Sequence, residues 1–269
     1  MTTTATTAEV REFIIVGQCQ GTGYALWDIA PAPVDPARRA AVLEELGVDA
    51  MDAFGDVNTE CGATAREALD NFLEEMREQS GLDDYDLTAD SRTDRIAEVD
   101  AVRAHGASPR GRVEITATVT PGPDRLTITG THPYDTGVHG RMHGGITRAG
   151  IDFPAGEVAV RIDDHRDVSG TLDLAVACAI LGAAGQIDRH ALDSVVCLGE
   201  LCWDGFVCNV FNLRAVVQAA YDGGHRTVLV PAVQVMDVRR MGFDGLTVIG
   251  ARHFTQAVDA VNKLAQQDD

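Results

Sequence analysis

With 269 residues, 45% hydrophobic but only 5% aromatic, the chain can fill one large core or two ordinary ones with aliphatic side chains. Its formal charge of −19 argues against a phosphate-backbone partner. No apolar run approaches the roughly 20 residues that cross a bilayer, and Met1 to Thr7 has neither the basic nor the apolar part of a signal peptide, so a cytoplasmic protein without a membrane partner is expected.

The charge is uneven, since residues 1–110 hold 22 acids against 9 arginines. Of 22 basic residues, 21 are arginine, and the single lysine is Lys263. A P-loop needs a lysine directly after its glycine turn, and a Schiff-base enzyme needs a buried one. Neither mechanism is available on this pattern, and no cofactor is expected. Six cysteines are too few for a disulfide scaffold; Cys178, Cys197, Cys202 and Cys208 read as buried small hydrophobes kept as thiols.

Along the chain, residues 1–11 read as a polar tail and 12–110 as an acidic region of mixed α/β character. "IIVGQCQGTGYALWD" (Ile14 to Asp28) is glycine-rich but lacks Gly-Lys-Ser/Thr, and reads as two strands, 12–18 and 23–29, joined by a Gly-Thr-Gly turn. Helices are predicted at 36–46 and 63–79, the second with Ala65, Leu69, Phe72, Leu73 and Met76 on one face. Residues 80–110 are acidic and poorly periodic apart from a short helix near 94–104, which predicts a linker. "RVEITATV" and "RLTITGT" then alternate about Pro-Gly-Pro-Asp, as in a hairpin. Helices at 139–149, 172–184, 213–222, 233–240 and 253–265 alternate with strands at 157–163, 195–201, 206–210, 226–232 and 246–250. The fold class is α/β, in an α+β two-layer arrangement, with 111–266 as the second domain.

Within that half, Gly150-Ile-Asp-Phe-Pro154, Leu172-Asp173-Leu174, Gly199-Glu200-Leu201 and Val230-Pro231 follow one another in an order that resembles the amino-terminal domain of ComM-type, magnesium-chelatase-like proteins. The resemblance implies a Lon-protease-domain fold. In ComM relatives this domain precedes an ATP-driven motor that remodels DNA, and a similar domain in RadA proteins is a ring-forming platform. No P-loop lies in this chain, so the resemblance implies a platform whose motor, an AAA+ partner protein, acts in trans, with a homo-oligomer as the expected state. In Lon proteases a serine at the start of one helix is activated by a lysine on the next. The matching positions here are Thr171 and Arg214. The base must be neutral at working pH, and a guanidinium almost never is. Thr171 then reads as a helix N-cap, and Arg214 as a surface charge or the partner of Glu200 or Asp173.

Three other clusters compete with this reading. His139 and His143 are four apart and could share a helix face toward a metal, with His132 or Asp135 as a further ligand; Gly140, Gly144 and Gly145 weaken that helix, so no metal site is expected. The loop "RIDDHRDVSGT" gathers Asp163, Asp164, His165, Asp167, Ser169 and Thr171, which admits a stand-alone hydrolase with Ser169 or Thr171 as nucleophile and His165 as base, or an anion at the following helix. Arg226, Arg239, Arg240 and Arg252 could form a basic strip, although direct nucleic-acid binding is not expected against −19. The leading expectation is a non-catalytic, protein-binding module, with a role in DNA uptake or recombination implied by the resemblance.

Overall fold

The structure, a computed structural model, describes residues 11–20, 23–48, 55–62, 64–89, 91–130, 137–163 and 170–266. The chain forms two compact units, Met1–Ala101 and Val102–Asp269.

In the first unit, β1 (Arg11–Gln20) pairs antiparallel with β2 (Gly23–Pro31) and β3 (Asp56–Gly62), and β2 pairs parallel with the short β4 (Asp86–Leu87). The strand pair expected around the Gly-Thr-Gly turn is present. Pro36 opens α1 (Pro36–Glu45) behind the N-cap Asp35. Thr64 caps α2 (Ala65–Ser80), where Ala65, Ala68, Leu69, Phe72 and Leu73 are buried against the sheet and Met76 packs at the edge of the core. Asp100, at the end of α3 (Thr93–Asp100), accepts hydrogen bonds from the backbone N–H groups of Ala65 and Arg66, so it satisfies two further donors at the start of α2.

The second unit contains β5 (Val102–Ser108), β6 (Gly111–Thr120), β7 (Arg125–Thr129), α4 (Val138–Arg148), β8 (Glu157–Ile162), a 3-10 turn (Gly170–Leu172) running into α5 (Asp173–Ala183), α6 (Arg189–Ser194), β9 (Val196–Cys197), β10 (Glu200–Leu201), β11 (Val207–Cys208), α7 (Leu213–Asp222), β12 (Thr227–Pro231), α8 (Val235–Arg240), β13 (Thr247–Ala251) and α9 (Phe254–Ala265). Seven strands form one mixed sheet in the order β13-β12-β9-β5-β6-β8-β7. Helix α5 is buried on every side, which its run of Ala, Leu, Ile and Val permits.

The α/β class holds, with four corrections to the detail. First, β6 and β7 are not a hairpin: β8 lies between them, antiparallel to β6 and parallel to β7. Gly156 accounts for the insertion. Its N–H donates to Asp124 Oδ1 at 2.9 Å, its carbonyl accepts from Arg125 N at 3.1 Å, and its φ of +94° belongs to glycine. The Pro-Gly-Pro-Asp loop thus straddles the start of β8. Second, beyond the short helix expected there, which is α3, the segment read as a linker contains β5, which pairs over seven residues with β6. The compact unit accordingly starts at Val102 and not at 111. Third, 195–201 is not one strand: β9 stays in the large sheet, and β10 leaves it to pair with β11. Fourth, helices cover both faces over β5, β9 and β12. Cys197 faces the core of α5, while Val196 and Leu198 face that of α7 and α8, which adds a third layer to the expected two.

Among the described residues no helix is long and apolar enough to cross a membrane.

Candidate functional site

Two of the four landmark motifs meet at the entry to α5. Gly199 donates its N–H to the Thr171 carbonyl at 3.0 Å, and its own carbonyl accepts from Leu174 N at 2.9 Å. Glu200 packs over Gly170, where an added Cβ would lie 2.7 Å from Glu200 Cγ. Gly199-Glu200-Leu201 and Leu172-Asp173-Leu174 therefore form one junction that ties the start of α5 to the end of β9.

Thr171 is not the N-cap. The 3-10 turn continues into the helix, and Leu172 takes the cap position with helical φ and ψ and a side chain that makes no cap hydrogen bond. Thr171 itself is only 3% exposed. Asp173, 4% exposed, receives two hydrogen bonds from α4: Arg141 Nε to Oδ2 at 2.8 Å and Nη2 to Oδ1 at 3.2 Å. This fork geometry is the strong form of a carboxylate–guanidinium contact. The partner of Asp173 is thus Arg141 and not Arg214. Arg214 is exposed on the first turn of α7, whose Val216 and Val217 face the other core.

At the start of α5, where an anion was the alternative reading, Leu174 N is bonded to the Gly199 carbonyl and the Asp173 carboxylate is held by Arg141. Ser169, His165, Asp164 and Asp167 of the proposed hydrolase loop lie outside the described residues, as do His132 and Asp135. Asp163 is described and is 3.5 Å from Arg161.

The glycines of α4 do not interrupt it; they make room. An added Cβ at Gly140 or Gly144 would lie 2.4 or 2.6 Å from the Trp203 ring, and one at Gly145 would lie 2.7 Å from Leu201 Cγ and 3.0 Å from the Cys202 carbonyl. The i, i+4 spacing puts Gly140 and Gly144 on one face against Trp203, and Gly145 beside them meets Leu201, so the three seat the β10–β11 hairpin. Cys202 and Cys208 of that hairpin, with Cα atoms 6.5 Å apart, are joined as a disulfide, contrary to the expectation of thiols. Cys178 and Cys197 are free and buried as expected, and the Cys178 thiol is held well above its ordinary range by its hydrogen bond to Cys197 and by burial. Gly145→Ala is expected to lower stability by about 1–3 kcal/mol, because backbone as well as Leu201 must move. A denaturant midpoint equal to wild type would contradict the seat.

His139 and His143 both project from the exposed side of α4 into a surface pocket of about 590 Å³ bounded by Trp203 and Arg148. His143 stacks against Phe153, with ring centroids 5.0 Å apart. Among the described residues no group of three or more metal-ligating side chains forms.

Sequence reading missed a second cluster altogether. His105 of β5, 3% exposed, places Nε2 at 2.9 Å from Asp193 Oδ1 and its ring 4.7 Å from that of His225. Arg112 Nη1 lies 3.4 Å from His225 Nε2. Burial, then His105 and Arg112, lower the His225 pKa. The unfolded chain therefore binds a proton that the folded one resists, and stability is lost as the pH falls below about 6.5 toward the folded value. His225→Gln should flatten this part of the stability profile, read from denaturant midpoints between about pH 7 and 5. An unchanged slope would contradict the assignment.

The four arginines foreseen as one strip are dispersed. Arg226 precedes β12 and Arg252 follows β13; the two strands are parallel and in register over five residues, so these arginines stand at opposite ends of the sheet. Arg226 donates to the carbonyls of Tyr221 and His225, and Arg240 is 3.4 Å from Asp237.

A family model described as ChlI, subunit ChlI of Mg-chelatase, matches residues 115–234. No curated protein matches the chain. The matched span runs from within β6 to the turn before α8 and includes α4, the α5 junction and the β10–β11 hairpin. Residues 115–234 form a magnesium-chelatase-like region.

Proposed function

We propose that the second unit is a non-catalytic platform of the ComM or Lon-domain kind, which binds other protein chains and receives motor activity from an AAA+ partner in trans, in DNA uptake or recombination. The observation that carries this reading is the packing of the described residues at the start of α5. Thr171, the hydroxyl-bearing residue described there, is buried, and the nearby Asp173 carboxylate is held by both nitrogens of the Arg141 fork. A nucleophile must meet its substrate and a base must be able to take its proton. Asp173 is committed to structure, and a guanidinium, the group Arg214 offers, is a poor general base. An unspecific peptidase assay on the purified chain tests the reading. No turnover is expected, either from wild type or from the variant carrying Thr171→Ser with Arg214→Lys. Hydrolysis by wild type that Thr171→Ala abolishes would overturn it.

A further inference from the structure

The hairpin seated on α4 presents two aromatic rings to solvent: Trp203 is 52% exposed and Phe206 40%. Each has a guanidinium over its face, Arg148 at 5.9 Å from the Trp203 ring and Arg252 at 5.7 Å from that of Phe206. Arg148 Nη1 also donates to the Trp203 carbonyl at 3.3 Å. The tip is held from several sides. Gly205 is packed so closely that an added Cβ would meet Ala149 at 3.0 Å and His253 at 2.9 Å. Phe254 N donates to the Gly205 carbonyl, Val207 N donates to that of Arg252, and the Cys202–Cys208 bond closes the loop. Little conformational freedom remains to be lost on docking.

The fixed positive charges of this surface are Arg148 and Arg252, in an acidic protein. Arg148 lines the pocket beside Trp203, and among the described residues no carboxylate lines it. The acid at the tip, Asp204, accepts from Phe206 N. Exposed aromatics paired with arginines form the usual centre of a protein contact. Two such basic surfaces repel each other, so the partner surface has to be a different and acidic one. The chain has one: residues 1–101 hold 22 acids against 7 arginines, a net of −15, whereas residues 102–269 carry only −4.

We propose that the Trp203–Phe206 surface docks the acidic N-terminal unit of a second copy of this chain. Because the two surfaces differ, the contact is head-to-tail and extends to a ring or a chain of subunits. The proposal deepens the platform reading and rests on it for its purpose, while its geometry stands alone.

Light scattering of the full chain at about 0.15 M salt tests it, where long-range repulsion between acidic copies is largely screened. Wild type is expected to exceed the mass of one chain and to grow with concentration. Trp203→Ala, and separately Arg148→Glu with Arg252→Glu, should weaken self-association at least tenfold while keeping the circular dichroism of wild type. A limiting amount of wild type mixed with excess Trp203→Ala should give particles of two chains, since the variant still offers its acidic unit. A monomeric wild type, an assembly unaffected by either variant, or a Trp203→Ala chain that stays out of the mixture would each overturn the proposal. Phosphonate labelling of the same fractions separates the two claims: label in an intact assembly sinks only the platform reading, and an unlabelled monomer sinks only the docking surface.

Discussion

Arg141→Met is expected to destabilise the protein by about 3–5 kcal/mol, because it removes the guanidinium fork from the buried Asp173 carboxylate. The methionine replaces much of the apolar stem of Arg141, so the loss comes mainly from the lost charge pairing. Adding Asp173→Asn should recover part of it, since a neutral amide costs less to bury than a carboxylate. Denaturant unfolding of the two variants measures both effects. A loss below about 1 kcal/mol for Arg141→Met would mean that the pair behaves like an exposed one, and the account of the packing at the start of α5 would fail.

Leu174→Ala should cost about 2–5 kcal/mol, the range for emptying a fully buried leucine site. Leu174 is packed in the core of α5 while its N–H is bonded to Gly199, so the surroundings cannot collapse far without breaking that junction. Tm or denaturant midpoint reads the result. A change under about 0.5 kcal/mol, typical of surface positions, would contradict the packing described. Together the two variants separate packing from chemistry in Leu172-Asp173-Leu174. On this account all three residues serve structure, with Leu172 packed close to Gly106, Asp173 paired to Arg141 and Leu174 in the core.

Elements with strong local periodicity were legible. The α2 stripe, the β1–β2 pair and the alternation of helices and strands after Val138 follow from residue spacing alone. What failed depended on distant partners. β5 reads as unstructured because His105, Gly106 and Ser108 dilute its apolar signal, and it becomes a central strand only by pairing with β6 and β9. The β6–β7 turn carries hairpin chemistry, yet the hydrogen bonds that Gly156 makes to it, from more than 30 residues onward, are invisible to local rules.

At the site, Thr171 and Arg214 could be singled out by resemblance, but nothing in spacing couples Arg141 to Asp173 across 32 residues. The glycine face of α4 was open to view. Gly140, Gly144 and Gly145 weaken a helix by propensity, although glycines four apart are also the signature of close approach, and a tryptophan between two cysteines is the available candidate to fill the space.

The most direct test of the non-catalytic claim is reaction of the purified, folded chain with a fluorophosphonate probe, followed by mass spectrometry of its peptides. The account predicts no adduct at Thr171 or Ser169 under conditions that label a control serine hydrolase. An adduct on either residue that disappears on prior unfolding would contradict it and make the chain a hydrolase.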